Sequence, residues 1–433
     1  MRDLLSIDNK IIWHPFTPLA GDPSQRVIER GEGALLFDTE NRSLVDGISS
    51  WWVNIHGHAR AEIGQAIAEQ AAKLEHVLFA GFTHPPAIEV AEKLLNIAGP
   101  HYKRVFFSDN GSTAVEVALK LSIQARQRAE AANSPHVIVA FENAYHGDTF
   151  GAMSLSGRGI FNEPFSDLLF EVERIPEPTP GKEVKSFEAY DKLLRSKRVS
   201  TFIFEPLVLG AGGMLMYSAK SLEKLLEMSR EAGVTTIADE VMTGFGRTGD
   251  ILATQSTKTR PDLITLSKGI TGGFLPLAVT LCSQKIVAGF ESHNRADAFF
   301  HGHSYTANPL ACAAASASLD LVQTEQCSNQ RQFINEQHLN FKATLEARSD
   351  VADCRVTGTI LAFDVVQSED PGYLSEIREP LYNHFLEQGV LLRPLGNTIY
   401  IMPPYCIRQS ELEQCYQAII SGLEVCLINR AGS

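Results

Sequence analysis

Lys268 stands where an apolar run, Leu263-Ile264-Thr265-Leu266, gives way through Ser267 to a glycine-rich turn: Gly269, then Thr271-Gly272-Gly273. Asp239 ends a second such run, Val234-Thr235-Thr236-Ile237-Ala238. An amine and a carboxylate at the carboxyl ends of two strands of one sheet suit a pyridoxal 5'-phosphate site. The lysine can form a Schiff base with the cofactor aldehyde, and the carboxylate can keep the pyridine nitrogen protonated. A protonated ring withdraws electrons from a carbanion, whereas a neutral ring does so poorly. Taken alone, Lys268 reads better as a surface lysine after a strand, and Asp239 can be an acidic helix cap; the two together, with a phosphate loop, favour the cofactor.

That loop is Ser108-Asp109-Asn110-Gly111-Ser112-Thr113, between the run Val105-Phe106-Phe107 and a helical period. Gly111 lets the backbone approach a ligand closely. The Ser112 hydroxyl and free helix-terminal amides can then donate to a phosphate, whose charge the helix dipole favours. Tyr145, just past Val137-Ile138-Val139-Ala140-Phe141, can stack on a flat ring or serve as a turn tyrosine. Val241 can cover the ring's second face. Glu205, at the end of Thr201-Phe202-Ile203-Phe204, can face the site or cap a helix. Arg247, in Gly244-Phe245-Gly246-Arg247-Thr248-Gly249, reads as structural. Trp51-Trp52 can line a substrate slot or belong to the core.

The intervening pattern must hold these groups. Short, nearly continuous apolar runs alternate with helical periods such as Ser112 to Arg128 and Ser221 to Ala232. Val115, Ala118, Leu119 and Ser122 share one helical face. A mostly parallel sheet covered by helices on both sides follows. The stretch from Pro176 to Lys185 reads as an exposed excursion. Past about residue 330 the pattern becomes α+β: a helix from Asn335 to Ala347, strands near 354–366 and 390–402, and a closing helix from Ser410. Ala34 to Asp38 and Ser43 to Asp46 read as a hairpin that can join that part. We therefore expect an N-terminal segment over 1–60, a large cofactor-binding domain over 61–328, and a small α+β domain over 329–433.

Composition narrows the class. The chain has 433 residues, 44% hydrophobic and 21% charged, as in a soluble globular enzyme. A net charge of −13 argues against a nucleic-acid surface, and no apolar stretch is long enough to span a bilayer. The first ten residues hold no signal-peptide core. Seven cysteines without CxxC spacing read as reduced cytoplasmic thiols. The pairs His56/His58 and His301/His303 lack the partners of a metal site. Gly210-Ala211-Gly212-Gly213 lacks the spacing of a dinucleotide fingerprint.

These segments, in this order and over nearly the whole chain, resemble the class III pyridoxal phosphate aminotransferases of fold type I. The Asp239–Gly249 stretch, the Ser267-Lys268-Gly269 turn and Thr306-Ala307-Asn308-Pro309-Leu310-Ala311 carry the likeness. The resemblance implies an α/β fold whose large domain holds a mostly parallel seven-stranded sheet, and a homodimer with shared active sites. Trp13-His14-Pro15-Phe16-Thr17, Asp46 through Trp52, Tyr145 through Ser154 and Met402-Pro403-Pro404-Tyr405 resemble, more narrowly, the branch that aminates 8-amino-7-oxononanoate in biotin biosynthesis. S-adenosylmethionine is the usual donor there.

Roles follow from that likeness. Lys268, Asp239 and Tyr145 are the expected catalytic set. Gly111, Ser112, Tyr145, Val241, Asp239 and Lys268 would bind the cofactor. His303 and Ser304 would reach the neighbouring subunit's cofactor phosphate. Phe16, Trp51, Trp52, Tyr145, Gly302 and Arg393 would meet substrate. Three positions depart from the family pattern. Phe16 replaces a usual tyrosine, which leaves lysine open as donor; Leu209 replaces a frequent glutamine, and His303 a frequent proline. A related ω-amino acid or diamine aminotransferase is the alternative reading.

Overall fold

A computed structural model describes residues 3–20, 25–129, 137–367 and 375–431, with side chains omitted at 129 and 426–431. Its centre is a seven-stranded sheet. In chain order the strands are β1 (Tyr102–Ser108), β2 (Val137–Phe141), β3 (Glu173–Ile175), β4 (Val199–Phe204), β5 (Thr235–Asp239), β6 (Leu263–Leu266) and β7 (Ala278–Ser283). They lie in the order β1-β7-β6-β5-β4-β2-β3. Only β7 runs against its neighbours, pairing antiparallel with both β6 and β1. The other pairings are parallel.

The parallel register explains the continuous apolar runs: such strands are covered on both faces. Every residue of β4, β5 and β6 is buried. Phe141, Phe202 and Phe204 are fully buried and pack ring against ring. Burying each contributes roughly 1.5–3 kcal/mol. The helix Gly111–Ala129 turns Val115, Ala118, Leu119 and Ser122 into the core.

The strand β3 lies outside the runs identified from sequence. Glu173-Arg174-Ile175 is a short charged segment at the sheet edge, where half the ladder faces no neighbour and alternation fades. The excursion after it, expected to be exposed, is buried at its start. Residues 176–179 are buried, and a helix already begins at Glu183. The reason is Glu177, 1% exposed, which accepts from the Asn143 amide.

A second, four-stranded sheet joins the chain's two ends. Ile28–Glu32, Leu35–Asp38 and Ser43–Asp46 form an antiparallel meander, and Val390–Leu391 adds parallel to its last strand. Val351–Thr357, Ile360–Val365 and Thr398–Ile401 form a third, antiparallel sheet. The helix expected from Asn335 starts ten residues earlier, spanning Glu325–Glu346. Thr324 caps it by accepting from the Cys327 amide. The six described cysteines are unpaired. No helix among the described residues is long and apolar enough to cross a membrane.

Candidate active site

The carboxyl ends of the parallel strands share one edge, where ligands bind in open α/β sheets. A cavity of about 460 Å³ lies there. Gly111 and Ser112 reach it after β1, Tyr145 and His146 after β2, Glu205 after β4, Asp239 and Val241 at β5, and Lys268 after β6.

Lys268 occupies the left-handed region with φ 45°, a strained choice for a residue with a Cβ. The turn that imposes it is tied on both sides. Ser267 Oγ donates to the Leu277 carbonyl at 2.9 Å and Thr271 Oγ1 to that of Leu275 at 2.6 Å. The Lys268 amine lies 4.7 Å from the centre of the Trp52 ring. Burial pulls it below the usual ammonium range, with Asp239 and Glu205 opposing.

Asp239 is 5% exposed. Its Oδ1 accepts from the Val241 amide at 3.1 Å and from Thr265 Oγ1 at 3.2 Å. Its Oδ2 meets His146 Nδ1 at 2.7 Å. A carboxylate offers about four lone-pair sites, so these three contacts leave one without a partner. His146 itself is buried, and its Nε2 meets no acceptor or donor. Its place behind the carboxylate was not expected from sequence. The only signal was a histidine one residue past a strand-end aromatic on a tight glycine turn.

The Gly111 end of the cavity is equally constrained. Asn110 caps the helix through the Thr113 amide, leaving the first-turn amides of Gly111 and Ser112 free of acceptors among the described residues. A Cβ on Gly111 would meet Val241 Cγ1 at 2.7 Å. One on Gly147, at φ +128°, would meet Ser112 Oγ at 2.0 Å. The two glycines thus let Val241 and Ser112 close on a ligand. Gly147→Ala should therefore displace Ser112 and weaken pyridoxal phosphate binding about tenfold or more, the worth of a charge-assisted hydrogen bond. Absorbance titration of the apoprotein measures this; unchanged affinity would remove Gly147 from the cradle.

Glu205 accepts from the Tyr145 amide at 3.0 Å and the Gly210 amide at 2.9 Å. Burial pushes its carboxyl up to about 7, against the pull of His146. The protonated form is thus favoured by folding. Its stabilisation is complete below the ordinary value of 4.5 and is lost as pH rises through about 7. Glu205→Gln should flatten the Tm-versus-pH curve across that window, by on the order of 3 kcal/mol in total. Parallel curves for the two proteins would exclude a buried, titrating Glu205. Burial, with Asp148 next, raises the Tyr145 phenol far above its usual range, so it stays a neutral donor.

The two tryptophans face different spaces. Trp52 lines the cavity with Lys268, while Trp51 lines a second one of about 360 Å³ together with Arg393. Three residues with positive φ, Ser49, Ser50 and Trp52, splay them apart. Each costs about 1–3 kcal/mol, so the turn must be over-determined. Asp46 accepts from the Ser50 amide at 2.8 Å and hydroxyl at 2.9 Å, and Ser49 Oγ donates to the Met402 carbonyl at 2.9 Å. Trp52 Nε1 donates to Tyr400 Oη at 3.0 Å. Arg247, 1% exposed, donates to the Pro403 carbonyl at 2.7 Å and the Trp52 carbonyl at 3.5 Å. The Met402–Tyr405 segment and Arg247 therefore hold the tryptophan turn.

Phe16 sits edge-on to Trp51 at 5.4 Å and to Phe161 at 6.0 Å. Arg393 stacks over Trp51 at 5.5 Å. Gly302, His303 and Ser304 do not line this chain's cofactor cavity. The loop holding them packs Tyr305 against His76, with ring centres 5.4 Å apart and tilted by 45°, and Tyr305 is 66% exposed. His56 and His58 serve structure: His56 bonds Ser318, and His58 bonds Asp46.

The cavity fits a flat, phosphate-bearing aldehyde: a partly desolvated amine, an acceptor left open on Asp239, and a glycine cradle with free amides. The profile of the family described as aminotransferase class-III matches residues 18–423. The adenosylmethionine-8-amino-7-oxononanoate aminotransferase of Synechococcus elongatus is 47% identical over 95% of this chain and 98% of its own length. The solved structure of the enzyme of that name from Methanocaldococcus jannaschii is 31% identical, with a TM-score of 0.90 over 97% of this chain and 98% of that one. A PLP-bound amine transaminase from an uncultivated Pseudomonas species is 30% identical, with a TM-score of 0.89 over 96% of this chain and 99% of that one.

Proposed function

The chain belongs to the class III aminotransferases, and from that membership we propose that it transfers an amino group from S-adenosylmethionine to the ketone of 8-amino-7-oxononanoate. The product is 7,8-diaminononanoate, in biotin biosynthesis. The observation that carries the chemistry is the Lys268 amine and Asp239 carboxylate facing one cavity at a single sheet edge. The relatives' names support the substrate.

The family is pyridoxal phosphate-dependent; when bound, the cofactor supplies an aldehyde and a ring that takes up carbanion charge. Gly111, Ser112 and the helix terminus would hold its phosphate. Tyr145 and Val241 would cover the ring, and Asp239 would meet its nitrogen and keep it protonated. Lys268 would take the proton from the donor's α-carbon, hold it on its ε-amine and give it up to complete the transfer, and would move a proton the opposite way for the acceptor. Trp51, Trp52 and Phe16 shield the aliphatic chain from water, and Arg393 meets its carboxylate.

The homodimer belongs to the same reading. Gly302, His303 and Ser304 would complete the partner's site, which accounts for their distance from their own cavity. Leu78, Phe82, Phe300 and Tyr305, each at least 60% exposed, support a covered face there. We place domain boundaries near residues 60 and 328, and the reaction in the cytoplasm.

One observation favours a second donor: Phe16 brings no hydroxyl to the site. A donor screen with 8-amino-7-oxononanoate, following diaminononanoate by mass spectrometry, tests both. Product with S-adenosylmethionine is expected. Product with lysine alone would change the donor, and preference for an ω-amino acid or diamine partner would overturn the substrate.

A further inference from the structure

The cavity behind Trp51 carries two guanidinium groups and no acid. Arg26 and Arg393 both line it, beside an aliphatic wall that includes Leu36, Leu386 and Leu391. Arg393 was expected at a substrate; Arg26 was not. Arg26 Nε is buried and meets no acceptor, and neither arginine has an ion-pair partner among the described residues. A buried guanidinium N–H without an acceptor is costly, and a ligand oxygen relieves that cost. Asp8, which bonds two residues of the lining, is occupied by them: His14 at 2.7 Å and Gln25 at 2.6 Å. Two planar donor forks at the end of an apolar slot suit a carboxylate on an aliphatic chain.

We propose that Arg26 joins Arg393 in holding the far carboxylate of the acceptor, and so acts as a second specificity-determining residue. This rests on the substrate reading above. The chain ends meet here because Val390–Leu391 pairs with Ser43–Asp46, bringing residue 393 to the N-terminal sheet that Arg26 precedes. An acceptor whose carboxylate is neutralised should then lose most of what distinguishes it from other ketones.

The test compares 8-amino-7-oxononanoate with its methyl ester on pyridoxal phosphate-loaded wild type, Arg26→Gln and Arg26→Lys. Arg26→Gln should lose about tenfold or more in kcat/KM for the acid, through KM, and little for the ester. Arg26→Lys should keep part of the preference. An equal fall for acid and ester, or no fall for either, overturns the proposal. Calorimetry with nonanoate and 1-nonanol gives a readout without turnover: Arg26→Gln should weaken only the carboxylate. If wild type fails to aminate 8-amino-7-oxononanoate yet binds nonanoate through Arg26, the substrate reading falls and the carboxylate site stands. If it aminates the acid while nonanoate binding ignores Arg26, the site falls alone.

Discussion

Lys268→Ala should lower kcat/KM for amino transfer by at least about 10⁴-fold, the upper range for removing one positioned acid–base group. An unperturbed lysine amine, with a pKa near 10.4, is neutral in only about one molecule in 10³–10⁴ at pH 7. Burial beside Trp52 enlarges that fraction, while Asp239 and Glu205 limit it. The side chain is thus poised to be both nucleophile and proton carrier. Lys268→Arg separates these roles from charge alone: a guanidinium keeps the cation but does not deprotonate. Both variants should be inactive in single-turnover spectroscopy with donor, with unchanged circular dichroism, because alanine or arginine bears the same φ of 45° that lysine does. Added methylamine should restore part of the alanine variant's proton transfer and none of the arginine variant's. A normal single-turnover rate in either would remove Lys268 from the chemistry.

How far the residues announced this site differs by position. Asp239 and Lys268 were legible because each closes a buried apolar strand, and parallel strands bring their carboxyl ends to one edge. Gly111 and Ser112 were legible for the same reason, with a helix start added. His146 was not: nothing local distinguishes it from a turn histidine, and its value arises only when β2 and β5 set it 2.7 Å from Asp239. Arg26 is a sharper case. It is one arginine in a loop until residues 26, 51 and 393 share one cavity, and sequence spacing says nothing of that. The edge strand β3 and the burial of Glu177 escaped because both depend on what packs against them. Arg247 was read as structural from its glycine-rich loop, and its bonds to Pro403 and Trp52 give the reason.

Asp239→Asn should lower kcat by about 10²–10³-fold, the range for losing one preorganised electrostatic contact in a buried site. The substitution keeps the shape and removes the charge. An asparagine oxygen can still accept from the Val241 amide and Thr265, so the strand end should hold. The amide nitrogen then faces His146 Nδ1, which must become an acceptor. The proton moves to Nε2, the atom that has no partner. That rearrangement is local, and Tm should fall by only a few degrees. The loss should lie in kcat, with acceptor KM nearly unchanged, since Trp51, Arg26 and Arg393 line a different cavity. A cofactor bearing a methyl group on its ring nitrogen carries a fixed positive charge and does not need the carboxylate to keep it. Loading it into Asp239→Asn should recover at least about tenfold of the lost rate. If it recovers nothing while His146→Phe costs as much as Asp239→Asn, then the pair acts by packing, and the carboxylate is not what keeps the ring cationic.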